Sequence, residues 1–208
     1  GVYTAQRQYQ TADRAWSGIA SVFMVIPTVV LAILIVFFAI EINTASGTRI
    51  FYVTGLSSYT GNNVLLSFVD FLQHILLPTV VLTIITSVGY HLRQRTYLLD
   101  EMHTDYVRTA RAKGLTRRQA IRKHALRASL IPTAVDVAFS IAGIFTGAVM
   151  TEKIFAIHGM GEYFINCING NNIHGAVAVA AFSGACTLVG ALLADLFAAA
   201  LDPRIKMS

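Results

Sequence analysis

The chain has 208 residues, of which 55% are hydrophobic and only 13% charged, against about 25% charged in an average soluble domain. That is too little charge to cover a soluble surface. The net charge of +5 does not indicate nucleic acid, because the cations are confined to segments between long apolar runs, as in membrane proteins.

The opening segment is polar and holds Arg7 and Arg14. Gly1 is not an initiator, and no signal-peptide pattern follows. The reading is therefore the C-terminal part of a longer protein. Four apolar runs are then long enough to cross a bilayer, which takes about 20 residues. They are 16–40, interrupted by Pro27; 71–92, containing His74 and Pro78; 128–151, carrying Asp136; and 175–201, carrying Asp195. The runs do not alternate in polarity, as the strands of a β-barrel would, which favours helices over strands. The expected fold is all-α and transmembrane: a multi-span helical bundle formed by residues 1–208 as part of a single domain.

All but Arg49 and Lys153 of the 16 Lys and Arg fall in the opening segment, in the loop 93–127, or in the tail. The positive-inside rule places those three segments in the cytoplasm. Residues 41–70 and 152–174 are then external. The first of these reads as turns on the membrane surface. The second reads as a tight turn at Gly159-Met160-Gly161 followed by a short interfacial helix.

The cytoplasmic loop carries the strongest signals. Helix-compatible residues continue past Leu92 to Met102, so the second span is predicted to project from the membrane. Asp105 to Lys113 is a second helical piece, with an acid at its start and Lys113-Gly114 at its end. Thr116 with Gln119 three residues on is a capping-box pattern. It opens a helix that returns to the membrane, with a kink near Pro132. Arg108, Arg111 and Lys113 could bind anionic lipid. The small residues among them, Thr109, Ala110, Ala112 and Gly114, fit better a helix seated in a groove of another protein.

The stretch Asp105-Tyr106-Val107-Arg108-Thr109-Ala110-Arg111-Ala112-Lys113-Gly114-Leu115, with Leu126 and Pro132 beyond it, resembles the cytoplasmic signature of permease subunits in binding-protein-dependent ABC importers. The general form of that signature is matched at Ala110, Gly114 and Leu126. The fuller form resembles the B-type permease of the dipeptide, oligopeptide and nickel branch. Glu152-Lys153-Ile154-Phe155 with Gly159-Met160-Gly161 is similar to that branch's external motif, although Ile157-His158 stand where it usually has Trp-Pro. Ala194-Asp195-Leu196 and Leu201-Asp202-Pro203-Arg204-Ile205 are similar to its C-terminal ending. The resemblance implies a type I importer permease in a bacterial or archaeal cell membrane, whose six-span subunits would be represented here by the last four.

It further implies partners: a second, C-type permease, one or two ATPase subunits carrying ATP and Mg, and an external substrate-binding protein, all around the lipid bilayer. The segment Asp105, Tyr106, Arg108, Thr109, Ala110, Arg111, Ala112, Lys113, Gly114 and Leu115 would be the coupling helix that docks on the ATPase and carries its motion to the pore. Peptide is the implied cargo, with nickel or another small solute as the alternative.

The chain has no phosphate-binding glycine-lysine loop and no His-Glu-x-x-His motif, so neither ATP hydrolysis nor metalloprotease chemistry is expected of it, and no cofactor. Cys167 and Cys186 are not placed for a disulfide or a metal. An ionisable residue within a span is a functional candidate by default. Asp136 is expected at the wet cytoplasmic end of the pore, or paired with an arginine such as Arg127. Asp195 is expected beside a neighbour near the cytoplasmic end of the last span. Two other classes remain: an intramembrane enzyme using Asp136 and Asp195 as a carboxylate pair, and a secondary transporter that needs no ATPase.

Overall fold

The structure is a computed structural model and describes residues 1–146 and 148–201. Among the described residues the regular elements are helices: α1 (Val2–Gln6), α2 (Thr11–Val25), α3 (Thr28–Ser46), α4 (Val64–Met102), α5 (Asp105–Ala112), α6 (Arg117–Ala120), a π-helical turn (Ile121–Ala125), α7 (Leu126–Thr146), α8 (Val149–Ile154), α9 (Met160–Asn169) and α10 (Ile173–Leu201). Among the described residues, three helices are long and apolar enough to cross a membrane: Thr28–Ser46, Val64–Met102 and Ile173–Ala200. The run expected at 128–151 corresponds to α7, and Val149–Ile154 is a separate short helix.

The run expected as one span at 16–40 is two helices. Pro27 is the reason. It disfavours helical backbone at the preceding residue, so α2 ends at Val25 and α3 restarts at Thr28. The second span begins seven residues earlier than the apolar run suggested, at Val64, and continues to Met102 with Pro78 inside it. At about 1.5 Å per residue, its 39 residues make roughly 58 Å, about twice the hydrocarbon thickness of a bilayer. Part of α4 must therefore stand outside the membrane.

The chain divides into two compact units. The first comprises 1–24, 87–143 and the residues from 186 onward; the second comprises 25–86 and 144–185.

In the second unit, a loop of residues 47–63 is held by side chains rather than by its own ladder. Asn43 Oδ1 accepts from the Ile50 and Phe51 amides at 2.9 Å each, and its Nδ2 donates to the Phe51 carbonyl at 2.7 Å. Asp70 on α4 accepts from Ser57 Oγ and the Ser58 amide at 2.7 Å and from the Tyr59 amide at 3.1 Å. One turn on, buried His74 meets the Asp70 carbonyl through Nδ1 at 2.8 Å and Ser58 Oγ through Nε2 at 2.9 Å. A carbonyl can only accept, so Nδ1 donates to it, and the Ser58 hydroxyl completes the contacts of the ring at Nε2. The Tyr52 ring packs on His74 at 4.4 Å, and Arg49 lies over Tyr52.

The short helices α8 and α9 meet through Glu152. Its carboxylate accepts from the Ala148 amide at 3.1 Å and the Glu162 amide at 2.8 Å, which satisfies an orphan donor in the first turn of α9. The expected turn and short helix at Gly159-Met160-Gly161 are present, and the glycines are there for space. A Cβ on Gly161 would lie 2.6 Å from Val149 Cγ2 and 3.0 Å from Val149 Cα. Gly161→Ala should therefore lower stability by about 1–3 kcal/mol, the usual cost of overpacking. An unchanged melting temperature in the purified variant would show that this junction can relax.

Candidate functional site

The loop between α4 and α7 belongs to the first unit, and the turn between its two helices is closed by a cap on each side. Thr104 is extended (φ −72°, ψ 155°) and opens α5, its carbonyl accepting from the Val107 and Arg108 amides. Asp105 sits in the first turn and Arg111 in the last, the arrangement that complements the helix dipole.

At the other end, the Gly114 amide bonds to the Arg111 carbonyl at 3.0 Å and the Leu115 amide to the Ala110 carbonyl at 3.2 Å. Those two bonds are a Schellman motif, which needs a left-handed residue. Gly114 supplies it with φ +93°. Two residues later the capping box forms as the spacing predicted. Thr116 Oγ1 accepts from the Gln119 amide at 3.3 Å, and Gln119 Oε1 accepts from the Thr116 amide at 3.0 Å.

Helix α5 has two faces. Val107 and Ala110 are buried, with 3% and 8% exposure, in a cluster with Ala5, Leu98, Ala120, Ile121 and Ala125; Leu115 packs against it. Opposite them, Asp105, Arg108, Thr109 and Ala112 are exposed at the spacing of one helix face, as are Tyr106, Arg111, Lys113 and Gly114 nearby. Ala110 therefore packs its small side chain in the chain's own core. The Asp105–Arg108 pair at 3.5 Å is exposed and contributes little to stability. The Tyr106 hydroxyl donates to the Glu101 carboxylate, tying α5 back to the end of α4.

Two polar networks fix α4 within this unit. Buried Gln94 donates to Ser129 Oγ at 3.1 Å and accepts from the Thr133 hydroxyl, joining α4 to α7. Arg95 forms a two-bond pair with Asp13, Nε to Oδ1 at 2.8 Å and Nη2 to Oδ2 at 2.9 Å. Asp13 is 3% exposed and also accepts from the Tyr9 amide and Ser17 Oγ. The Arg95 guanidinium holds the Asp13 carboxyl well below the usual carboxylate range.

The two acids singled out from sequence part company. Asp136 pairs with Arg93 at 3.3 Å, not with Arg127, and Tyr97 also reaches it. Asp195 is exposed, and no described residue bonds to its side chain. The structure thus places Asp136 in a polar network from which Asp195 stands apart. Sequence reasoning missed Arg93, Gln94, Arg95 and Asp13. The first three are consecutive on α4, but their partners, Asp136, Ser129 and Asp13, are 43, 35 and 82 residues away in the chain.

The sequence profile of the family described as binding-protein-dependent transport system inner membrane component matches residues 1–207. The oligopeptide transport system permease protein OppB of Mycobacterium bovis is 42% identical over 209 residues, covering all of this chain and 64% of that protein. The dipeptide transport system permease protein DppB of Bacillus subtilis is 37% identical over 134 residues, covering 64% of this chain and 44% of that protein. DppB of Lactococcus lactis is 33% identical over 132 residues. The chain thus spans just under two thirds of the length of its mycobacterial relative. With helices long enough to cross a membrane and a profile match along nearly its whole length, the chain belongs to the family of binding-protein-dependent transport system inner membrane components.

Proposed function

We propose that this chain is a pore-forming permease subunit of an ATP-driven, binding-protein-dependent importer of peptides, and that the outward face of α5 docks on an ATPase subunit. The observation that carries the reading is the division of α5 into a buried and an exposed face. Val107 and Ala110 lock it to α4 and to the π-helical turn, while Asp105, Arg108, Thr109 and Ala112 are left outside. A helix held this firmly moves as one body with the helices beneath it. A push on its outer face is then delivered to α4 and α7, a ligand-biased two-state change of the usual kind.

ATP and Mg would be held by the ATPases, and a second permease would complete the pore. An external binding protein would deliver the cargo. Peptide as cargo is supported by the names of the oligopeptide and dipeptide permeases that this chain resembles.

The test is composition. Co-expressed with its neighbouring transport subunits and purified in mild detergent, the protein should elute with a second permease and ATPase polypeptides. A photo-crosslinker at Thr109 should capture the ATPase. Peptide uptake by the protein alone, driven by an ion gradient, would make it a secondary transporter and overturn the reading. Uptake of nickel in place of peptide by the assembled complex would overturn only the cargo.

A further inference from the structure

On α4, Tyr90, Arg93 and Tyr97 recur at three- and four-residue spacing, which puts them on one face. On α7, Asp136 and Ser140 do the same. The two faces meet. Arg93 Nε lies 3.3 Å from Asp136 Oδ2, and the Tyr97 hydroxyl reaches the same oxygen at 3.5 Å. The Tyr90 hydroxyl bonds to Ser140 Oγ and, at 3.3 Å, to the Asp136 carbonyl. The Arg93 guanidinium also lies over the Tyr90 ring, 5.1 Å from its centroid. The result is a polar stripe about two helical turns long.

The stripe is not part of the chain's own core. The Arg93 side chain is 52% exposed and that of Asp136 29%, whereas Gln94 and Leu98 on the adjoining face of α4 are buried. Charges on membrane helices face either the bundle interior or a water-filled cavity, because lipid penalises them heavily. A cation at a helix end can escape by reaching the headgroups. That escape is open to the long Arg93 side chain but not to Asp136, whose short carboxylate lies in the interior of α7 and is still partly exposed. Ser140, one turn on, donates to the Asp136 carbonyl at 2.9 Å and continues the same face.

We infer that this stripe lines the water-filled path through the importer, and that Arg93 meets the carboxylate of a passing peptide while Asp136 and the Tyr90 ring hold the guanidinium in position. Arg93 is suited to the contact because a guanidinium presents five N–H donors in a fixed fork that matches a carboxylate. Its pairing with Asp136 is through Nε, and more than half of the side chain is open. The inference rests on the permease reading above.

The test uses the complete transporter, with its ATPases and binding protein, in proteoliposomes. In a Cys167→Ser/Cys186→Ser background, Ser140→Cys should react with a charged, membrane-impermeant thiosulfonate as readily as with an apolar maleimide. Reaction with the maleimide alone would place the stripe against lipid and overturn the inference. Separately, Arg93→Gln should reduce uptake of a tripeptide with a free carboxylate about tenfold relative to its C-terminal amide, the size expected for one hydrogen bond to a charged group. Arg93→Lys should restore part of that ratio. The same binding protein serves both peptides, so its own preference cancels. An equal fall for both peptides would remove Arg93 from cargo contact. If the unaltered transporter imports no peptide at all, the permease reading has failed on cargo, and the Ser140→Cys reactivity still decides whether the stripe faces water.

Discussion

Replacing Asp13 with alanine should destabilise the first unit by about 3–5 kcal/mol, the range for removing one partner of a buried ion pair. The size follows from what is left behind. Arg95 keeps its charge, its side chain is 21% exposed, and both of its bonds to the carboxylate are lost. The Tyr9 amide and Ser17 hydroxyl lose their acceptor as well. The measurement is the melting temperature and yield of the purified complex. A double replacement, Asp13→Leu with Arg95→Met, should recover much of the loss, because a buried pair is often no better than well-packed apolar groups. An Asp13→Ala protein that melts with the wild type would show that the pair contributes nothing.

The pH dependence has a definite sign. The folded pKa of Asp13 is depressed, so its contribution is complete above the unfolded value of about 4 and is lost as pH falls through the folded value. Between pH 5 and 8 the pair should leave stability flat. Its loss belongs to stronger acid.

The helix ends in the loop were legible because their signals are local. Gly114 after Lys113 sets the Schellman turn, and Thr116 with Gln119 sets the capping box. Both depend on residues within a few positions, as did the turn at Gly159-Met160-Gly161. The start of α4 at Val64 was missed because Asp70 looks like the end of an apolar run. Its carboxylate is instead tied down by Ser57, Ser58 and Tyr59, so its charge is accommodated within a helix. The run 16–40 reads as one span because it is apolar on both sides of Pro27, and only the structure shows two helices there. The π-helical turn at Ile121–Ala125 has no residue-level signature. Ala120, Ile121 and Ala125 all reach the same buried cluster, and packing of that kind is not visible in one dimension.

The buried face of α5 matters most for how the loop is read. In sequence, Ala110 and Ala112 are alike: small residues among cations. In the structure one is inside and the other outside. The arrangement gives α5 two separable jobs, to pack on its own chain and to present a surface. The Gln94–Ser129–Thr133 bonds between α4 and α7 continue the rigid body away from the loop and toward the stripe of Arg93 and Asp136. A displacement at α5 therefore has a connected course through buried side chains and hydrogen bonds within this one unit.

Those two jobs can be separated by mutation. Ala112→Glu adds a carboxylate on the exposed face without touching the core, so the chain should fold and insert normally. If the face docks on an ATPase, the new charge is buried there without a partner. A desolvation cost of about 1–3 kcal/mol or more weakens docking roughly 10- to 100-fold. Peptide uptake should fall by at least that order, while ATP hydrolysis no longer responds to the loaded binding protein. Ala110→Leu should do the opposite. It forces a larger side chain into the cluster around Leu98 and Ala120, lowering stability by about 1–3 kcal/mol and reducing the amount of complex, while each assembled complex stays coupled. Gly114→Ala meets open space at Cβ but must hold φ at +93°, at a cost of about 1–2 kcal/mol of backbone strain; it too should act through stability. Normal uptake by Ala112→Glu at wild-type complex levels would mean that the exposed face of α5 is not where the ATPase sits.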